Sequence, residues 1–341
     1  MAQDTTAIDL FSGCGGLTLG LRNAGFEVVA AVENDKLACE TFRLNHPKTV
    51  VVEKDIQRIR PSYLLKRLHL KKGQLTLLAG CPPCQGFSTL RTLNGKVSVD
   101  EPMNDLLFQF LKFVRAFIPK AILMENVPGL ASDPRLDEFK SQIERLGYSH
   151  NVEVLDAADY GTPQRRRRMV LIATRGKTPS FGDMPRNKKS VRWALQWTGA
   201  PSESDDELHN YEVRHSKEVQ ELISRIPKDG GSRTDLDDHE QLKCHKSCNG
   251  FRDVYGRMHW DKPAPTITGG CINPSKGRFL HPDADRAITL REAAILQGFP
   301  KSYRFDMSRG RYSTAQLIGN AFPPKFAEMH ARAILKSMEQ R

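Results

Sequence analysis

No apolar run in the sequence approaches the ~20 residues that a membrane-spanning helix needs, and the start, Met1 to Thr6, lacks a basic region followed by an apolar core. Both absences point to a soluble, intracellular protein with a cytoplasmic location. Cysteine is sparse and odd in number, 7 among 341 residues, so a disulfide framework is not expected. That leaves Cys14, Cys39, Cys81, Cys84, Cys244, Cys248 and Cys271 as reduced thiols for packing, metal binding or catalysis. There is no internal repeat and no low-complexity run. Acidic residues are in deficit: 40 Asp and Glu against 51 Lys and Arg give a formal charge of +11 and a pI near 9.3. Such a balance favours a polyanionic partner, most simply nucleic acid, over a merely soluble basic protein.

The length allows a large and a small domain, each with its own core. From Thr5 to about Arg175, apolar runs of strand length alternate with amphipathic stretches of helix length, the pattern of an α/β domain with a largely parallel sheet. Strands are expected near Thr5–Leu10, Glu27–Val32, Thr49–Glu53, Leu75–Ala79, Ala121–Met124, Asn151–Leu155 and Met169–Ala173. Helices are expected over Thr18–Ala24, Lys36–His46, Asn104–Ile118 and Leu136–Leu146, each stopped by a glycine or proline. The last two strands have no helix between them and should form a hairpin-like antiparallel addition at one edge. From about Gly176 to Arg286 the pattern turns irregular, with charge clusters, Gly-Gly pairs and scattered prolines, as in a loop-rich second domain. Asp205-Asp206-Glu207 and the acidic stretch from Asp235 to Glu240 read as solvated surface. Leu290–Leu296 and Lys325–Met338 read as helices again, with the C-terminus packing back on the first domain. The expected division is 1–177 completed by 287–341, with 178–286 separate.

Five strand ends carry chemistry. Gly80-Cys81-Pro82-Pro83-Cys84-Gln85-Gly86-Phe87-Ser88 follows a buried strand, and its prolines stiffen the turn so that a thiol there is presented rather than packed, although free cysteines are often simply small buried hydrophobes. The first strand runs into Asp9-Leu10-Phe11-Ser12-Gly13-Cys14-Gly15-Gly16, a glycine-rich turn before a helix, where backbone N–H groups can approach a nucleotide-like cofactor. Its spacing departs from Gly-x-Gly-x-x-Gly and no Gly-Lys-Ser/Thr follows, which disfavours hydride cofactors and phosphate-gripping loops. Glu33, ending the second strand, can accept both hydroxyls of a ribose, and Asp55 can accept an adenine amino group; for Asp35 or Asp55 the plainer role is a helix N-cap. Glu125-Asn126-Val127-Pro128-Gly129 ends the fifth strand, so Cys84 and Glu125 are candidates to face one cleft. In Gln164-Arg165-Arg166-Arg167-Arg168, alternation puts Arg166 and Arg168 on one face and Arg165 and Arg167 on the other.

Taken together, Asp9-Leu10-Phe11-x-Gly-x-Gly-Gly, Pro83-Cys84-Gln85, Glu125-Asn126-Val127, Gln164-x-Arg166-x-Arg168, Arg291-Glu292 with Gln297-Gly298-Phe299-Pro300, and Gly319-Asn320-Ala321-x-Pro323-Pro324 resemble the DNA cytosine-5 methyltransferases of compact bacterial type. The motifs stand in that family's order and at its spacings across nearly the whole chain. The resemblance implies a Rossmann-like S-adenosylmethionine-dependent sheet with an antiparallel edge strand, and a smaller irregular target-recognition domain over 178–286. It implies Cys84, not Cys81, as the nucleophile at carbon 6 of cytosine, with Glu125 on the base edge and Gln164, Arg166 and Arg168 completing the catalytic set. For S-adenosylmethionine it implies Phe11, Gly13, Gly15, Gly16, Glu33, Asn34, Asp55, Ile56, Pro83, Leu106, Asn320 and Ala321, although Asn34 departs from the large side chain that relatives can stack on the adenine.

The partner so implied is double-stranded DNA, the protein being a monomer with a cognate restriction endonuclease as a second partner. The loop from Thr89 to Pro102, with Arg91 and Lys96, is placed to close over a flipped base. Lys262-Pro263-Ala264-Pro265-Thr266-Ile267-Thr268-Gly269-Gly270 resembles the family's threonine-containing recognition element, so Thr266 and Thr268, with Arg252, Arg257, Lys276 and Arg278, are candidate DNA contacts. Rival readings are a redox pair at Cys81 and Cys84, a zinc site completed by Cys244 and Cys248, a regulator without catalysis, and the transfer-RNA branch of the same family. That branch usually carries Cys-Phe-Thr, and the nearest stretch here is Cys271-Ile272-Asn273. No metal is expected.

Overall fold

The structure, a computed structural model, describes residues 5–83, 106–211, 215–237 and 253–339. Packing divides the chain into two units, the first being Met1–Tyr160, Arg167–Pro185 and Ala321–Arg341, the second Gly161–Arg166 and Arg186–Asn320. In chain order the first unit carries β1 (Thr6–Leu10), α1 (Gly16–Ala24), β2 (Glu27–Glu33), α2 (Lys36–Asn45), β3 (Val50–Glu53), α3 (Pro61–Arg67), β4 (Leu77–Gly80), α4 (Leu106–Phe117), β5 (Ala121–Asn126), α5 (Pro134–Arg145), β6 (Ser149–Asp156) and β7 (Arg167–Thr174). The second carries α6 (Val191–Leu195), α7 (Lys217–Arg225), α8 (Leu290–Leu296) and α9 (Gly310–Asn320), after which α10 (Pro324–Glu339) returns to the first.

The seven-stranded sheet has the order β3-β2-β1-β4-β5-β7-β6. Strands β1 to β5 pair in parallel, and β7 is antiparallel to both β5 and β6. The crossover through α5 sets β6 parallel to β5 with one strand width between them. The return over residues 157–166 is too short for a crossover helix, so β7 fills that gap in the opposite direction. The arginine run therefore leads into the strand next to the edge, not into the edge strand itself, which is β6. The burial patterns agree: β5 is buried at every position, whereas β6 is half-exposed along its length.

Side-chain alternation covers both faces of the sheet. Ile8, Leu78, Ile122 and Met124 join one core with Phe110, Phe113 and Phe117 of α4 and Phe139 and Ile143 of α5. Ala7, Leu77, Ala121 and Leu123 join the other with Leu17 and Leu21 of α1 and Phe326, Ala327, Ala331 and Ile334 of α10, so the C-terminal helix does pack on the first unit. Helices α3, α6, α7 and α9 escape the sequence reading. In α3 only Pro61 and Leu64 are buried, and in α9 the buried positions are the small or polar Thr314, Ala315 and Gly319 with Ile318, so neither shows a clear apolar stripe. No helix among the described residues is long and apolar enough to cross a membrane.

The second unit is loop-rich. Residues 287–320 pack within it, whereas the sequence reading attaches 287–341 as a whole to the first. The reason lies in α8, where every residue is buried: Arg291 is ion-paired to Asp206 and donates to the Tyr303 carbonyl at 2.8 Å, and Glu292 accepts two hydrogen bonds from Arg286 at 2.8 Å. Asp206 is thus a partner of the core, not the solvated acid expected.

Arg257 overturns a second expectation. Its side chain is 0% exposed, and the guanidinium donates to the carbonyls of Ile223, Ile226, His281 and Ala284 and to the Asp285 carboxylate. Beside it lie Leu222, Ile223, Ile226, Tyr255 and Leu280. A guanidinium so consumed has no donors left for a phosphate. Arg257→Ala is expected to destabilise the protein by roughly 3–5 kcal/mol, because it leaves four carbonyls without their donor and takes one of two cationic partners from the half-exposed Asp285 carboxylate. Urea unfolding checks this, and unchanged stability with weakened DNA binding would restore the surface role.

Candidate active site

Strands β1 and β4 end level, Leu10 opposite Gly80, and β5 runs two residues past Met124, the partner of Gly80, so the turns that follow all three leave the same edge of the sheet. The turn after β4 is held from both neighbours. Cys81 N–H donates to the Leu10 carbonyl at 3.3 Å, and Asn126 Nδ2 donates to the Pro82 carbonyl at 2.9 Å. Asn126 is 5% exposed, and its Oδ1 accepts from Val127 N–H at 2.8 Å, which fixes its amide orientation. It belongs to the Glu-Asn-Val motif but was given no task in the sequence reading; its signal is an amide at a strand end beside a proline turn with an unpaired carbonyl. Pro83 is exposed. Cys84, Gln85 and the expected closing loop lie outside the described residues.

At the end of β5, Glu125 pairs in register with Val170 of β7, which puts Arg168 on the same sheet face, one diagonal step away. The two side chains meet at 2.8 Å between Nε and Oε1, with exposures of only 16% and 11%. Arg168 also donates to the Arg167 carbonyl at 2.7 Å, so its fork is tied at two points. Burial alternates as expected, with Arg165 and Arg167 exposed and Arg166 and Arg168 drawn inward.

The turn after β1 is built from left-handed backbone. Phe11, Gly13 and Gly15 have φ of 61°, 53° and 93°, and Gly15 caps α1, whose first residue is Gly16. For Phe11 this conformation costs about 1–2 kcal/mol. The Glu33 carboxylate staples the turn to β2: Oε2 accepts from Gly13 N–H at 2.8 Å, and Oε1 accepts from the N–H groups of Asn34 and Asp35 at 2.8 and 2.9 Å. Asp35 and Asp55 both cap helical turns, accepting from Ala38 and Gln57 N–H respectively. Asn34 is exposed. Ile56 and Leu106 sit in one core, against which Phe11 packs.

Beneath this turn lie residues that the sequence reading passed over. Asp9 is completely buried; one oxygen accepts from Thr18 Oγ1 at 2.6 Å, while Oδ1 has no partner among the described residues. Ser12 Oγ is likewise buried and without a partner among the described residues. Burial pushes the Asp9 carboxyl up to about 7, with the like charge of Glu33 adding to it. Burial also pushes the thiols of Cys14 and Cys271 up to about 12, which removes them as nucleophiles at neutral pH.

In the second unit, Gln164 is a strut and not a reacting group: it is 0% exposed, its Oε1 accepts from Ile267 N–H at 2.8 Å, and its Nε2 donates to Gln297 Oε1. Arg166 donates to the Ile267 carbonyl at 3.1 Å, and Thr266 Oγ1 to the Arg165 carbonyl at 2.7 Å. The segment carrying Thr266 and Thr268 is thereby locked to the arginine run. Thr268 is exposed, as is Asn320 at the end of α9, whereas Ala321 is buried. Arg278 spends one nitrogen on the carbonyls of Gly230, Gly231 and Arg257, which makes it a loop holder more than a free cation. Arg252 lies outside the described residues. Among the described residues no cluster of three or more His, Cys, Asp or Glu is arranged to hold a metal.

A sheet of this order, with an antiparallel strand inserted beside β5 and an acid at the end of β5, defines the class of Rossmann-like methyltransferases. The profile of the C-5 cytosine-specific DNA methylases matches residues 5–336, and the chain belongs to that family. The type II methylase M.HgiDII of Herpetosiphon aurantiacus is 36% identical, the match covering 97% of this chain and 95% of that one. The type II methyltransferase M1.HphI of Haemophilus parahaemolyticus is 35% identical over 97% and 87%. Among solved structures, a putative DNA modification methyltransferase encoded within an E. coli prophage superposes with a TM-score of 0.69 at 26% identity, covering 98% of this chain and 99% of that one. The S. pombe Dnmt2 methyltransferase, at 19% identity over 98% and 99% and a TM-score of 0.63, shares the fold.

Because the folded protein holds Asp9 protonated up to about pH 7 and the unfolded chain does not, this group's contribution to stability is greatest below pH 4 and is lost as pH rises toward 7, by on the order of 4 kcal/mol. Asp9→Asn should remove that slope. Urea unfolding at pH 5 and pH 8 should show a smaller alkaline loss in the variant than in the wild type, and parallel losses would contradict the assignment.

Proposed function

We propose that the chain transfers a methyl group from S-adenosylmethionine to carbon 5 of a cytosine flipped out of a specific short sequence in double-stranded DNA, with Cys84 as the covalent nucleophile. The observation that carries this reading is the meeting, at one sheet edge, of the braced turn leading to Cys84 with the Glu125–Arg168 pair.

The residues of the first unit fit the cofactor. Backbone N–H groups of the left-handed turn, the Glu33 carboxylate at the end of β2, and the buried unpartnered oxygens of Ser12 and Asp9 together suit a nucleoside with an amino-acid tail and no phosphates. Phe11, Asp55, Ile56, Pro83, Leu106, Asn320 and Ala321 complete the proposed set. S-adenosylmethionine, when bound, supplies the electrophilic methyl that carbon 5 takes up.

The protein's own part is to make carbon 5 nucleophilic. The sulfur of Cys84 bonds to carbon 6, and the electrons of the ring double bond move toward carbon 5. Glu125 holds the N3 and amino edge of the base while charge develops there, and Arg168 keeps the carboxylate aimed and supplies positive charge. After alkylation a base removes the carbon-5 proton; that electron pair restores the double bond and the sulfur leaves. Carbon 6 is inaccessible within a duplex, so the cytosine must first leave the stack. Residues 178–286 are proposed to read the sequence, Thr266 and Thr268 lying beside the flipped nucleotide. A cognate restriction endonuclease is the partner that the names of the type II relatives suggest.

Cys84→Ser should reduce methyl transfer by on the order of 10⁴-fold or more, while Cys81→Ser keeps most of it. Radiolabelled methyl transfer to duplex DNA measures both, and equal losses in two folded variants would sink the assignment. A duplex carrying 5-fluorocytosine should trap the enzyme covalently, since fluorine cannot leave as a proton. Turnover on cytosine without trapping would exclude the covalent route.

A further inference from the structure

Helix α9 lies against the loop that carries Thr266 and Thr268. At Gly319 the approach is so close that a side chain there would collide with the Thr268 carbonyl carbon and the Gly269 nitrogen. One turn earlier, Gln316 flanks Gly269: a Cβ on that glycine would stand 3.2 Å from the Cα of Gln316 and 3.3 Å from its Cγ. On the other side, the stem of Lys276 flanks Gly270, with Cβ and Cγ 2.9 and 3.0 Å from where a Cβ would stand. The loop is itself pinned, Cys271 N–H donating to the Thr268 carbonyl at 3.1 Å and Asn273 N–H to the Gly270 carbonyl at 2.9 Å. Two adjacent glycines thus let one polar side chain from each direction lie along the same turn.

The outer face of α9 continues from there. Thr314, Ala315, Ile318 and Gly319 are buried, while Arg309, Tyr312, Gln316 and Asn320 recur at spacings of three, four and four and are all exposed, Tyr312 at 65%. The helix contains no acidic residue. Arg311 turns aside, its guanidinium 4.7 Å above the Tyr211 ring. Arg309, Tyr312, Gln316 and Asn320 present a cation, a phenol and two amides, all of them side chains that donate to phosphate oxygens, with Arg and Tyr being types enriched at interfaces. From Gly310 to Gln316 the helix rises about 9 Å, the length of roughly three nucleotide steps along one strand, and Arg309 stands just before its first turn.

We propose that Arg309, Tyr312 and Gln316, with Lys276 across the glycine pair, form a phosphate-contacting surface that holds the DNA backbone beside the Thr266–Thr268 loop without reading sequence. The proposal rests on the reading that duplex DNA is the substrate. Tyr312 and Gln316 are exposed on α9, Arg309 is exposed just before it and Lys276 is exposed on the neighbouring loop, so their removal leaves the core untouched.

The test is binding of a duplex containing the methylated site, and of a duplex without it, measured by fluorescence anisotropy between 50 and 300 mM salt, together with steady-state methylation. Arg309→Ala and Lys276→Ala should each weaken both duplexes by the same factor, about 3- to 10-fold, and lower the salt slope by about 0.9. The KM for DNA should rise and kcat should hold. Lys217→Ala, which removes an exposed charge from α7, is the control and should change neither. Variants with wild-type affinity and slope, or losses matched by the control, would overturn the surface and favour a protein partner for this face. Loss confined to the specific duplex would overturn it in favour of base reading. Failure of the wild type to methylate any duplex would instead remove the functional reading, and this surface with it.

Discussion

The insertion of β7 between β5 and β6 is the constraint on which the arrangement of the sheet depends. It leaves β5 with a parallel neighbour on one side and an antiparallel one on the other, both faces covered, so its register cannot slip without exposing apolar side chains. That register sets Glu125 opposite Val170 and so delivers Arg168 to it diagonally. Burying two charges to this extent costs desolvation that the pair only roughly offsets, so the pair is better understood as fixing a geometry than as stabilising the fold.

The same edge collects rigid turns rather than mobile side chains. Glu33 staples the turn after β1, Asn126 staples the turn after β4, and the left-handed backbone of Phe11 stores strain where ordinary packing would avoid it. The unpartnered oxygens of Asp9 and Ser12 belong to the same economy: a buried acceptor left open beside a glycine-rich turn lowers the stability of the free protein and makes sense as part of a ligand cradle. In the second unit the comparable role falls to long polar side chains, with Arg257, Arg278 and Gln164 holding loops that have little regular backbone pairing among the described residues.

How much could be seen in the sequence follows from these differences. The strands were legible because runs such as Ala121–Met124 are buried on both faces, and the helices α1, α2 and α5 because glycine or proline ends them. Helices α3, α6, α7 and α9 were not, since each buries few large apolar side chains. The sequence places Glu125 at a cleft and Arg168 in the catalytic set that the resemblance implies, but not the direct ion pair between them, because strand order is not written in local spacing. Gln164 and Arg257 were misjudged for one reason: residue type shows what a side chain can donate, and only the fold shows that its donors are already taken. Asp206 shows the converse, an apparent surface acid recruited by Arg291 from 85 positions away. Asn126 and Asp9 sat inside quoted motifs, yet their tasks depend on neighbours brought together by the sheet.

The central claim is that these elements methylate carbon 5 of cytosine in one short sequence of duplex DNA. The most direct measurement is to express the protein in cells that lack DNA methylation, then map 5-methylcytosine by bisulfite conversion in plasmid DNA and in transfer RNA. The account predicts conversion-resistant cytosines at every copy of a single short DNA sequence and none in the transfer RNA. Methylated transfer RNA with fully converted plasmid would contradict it.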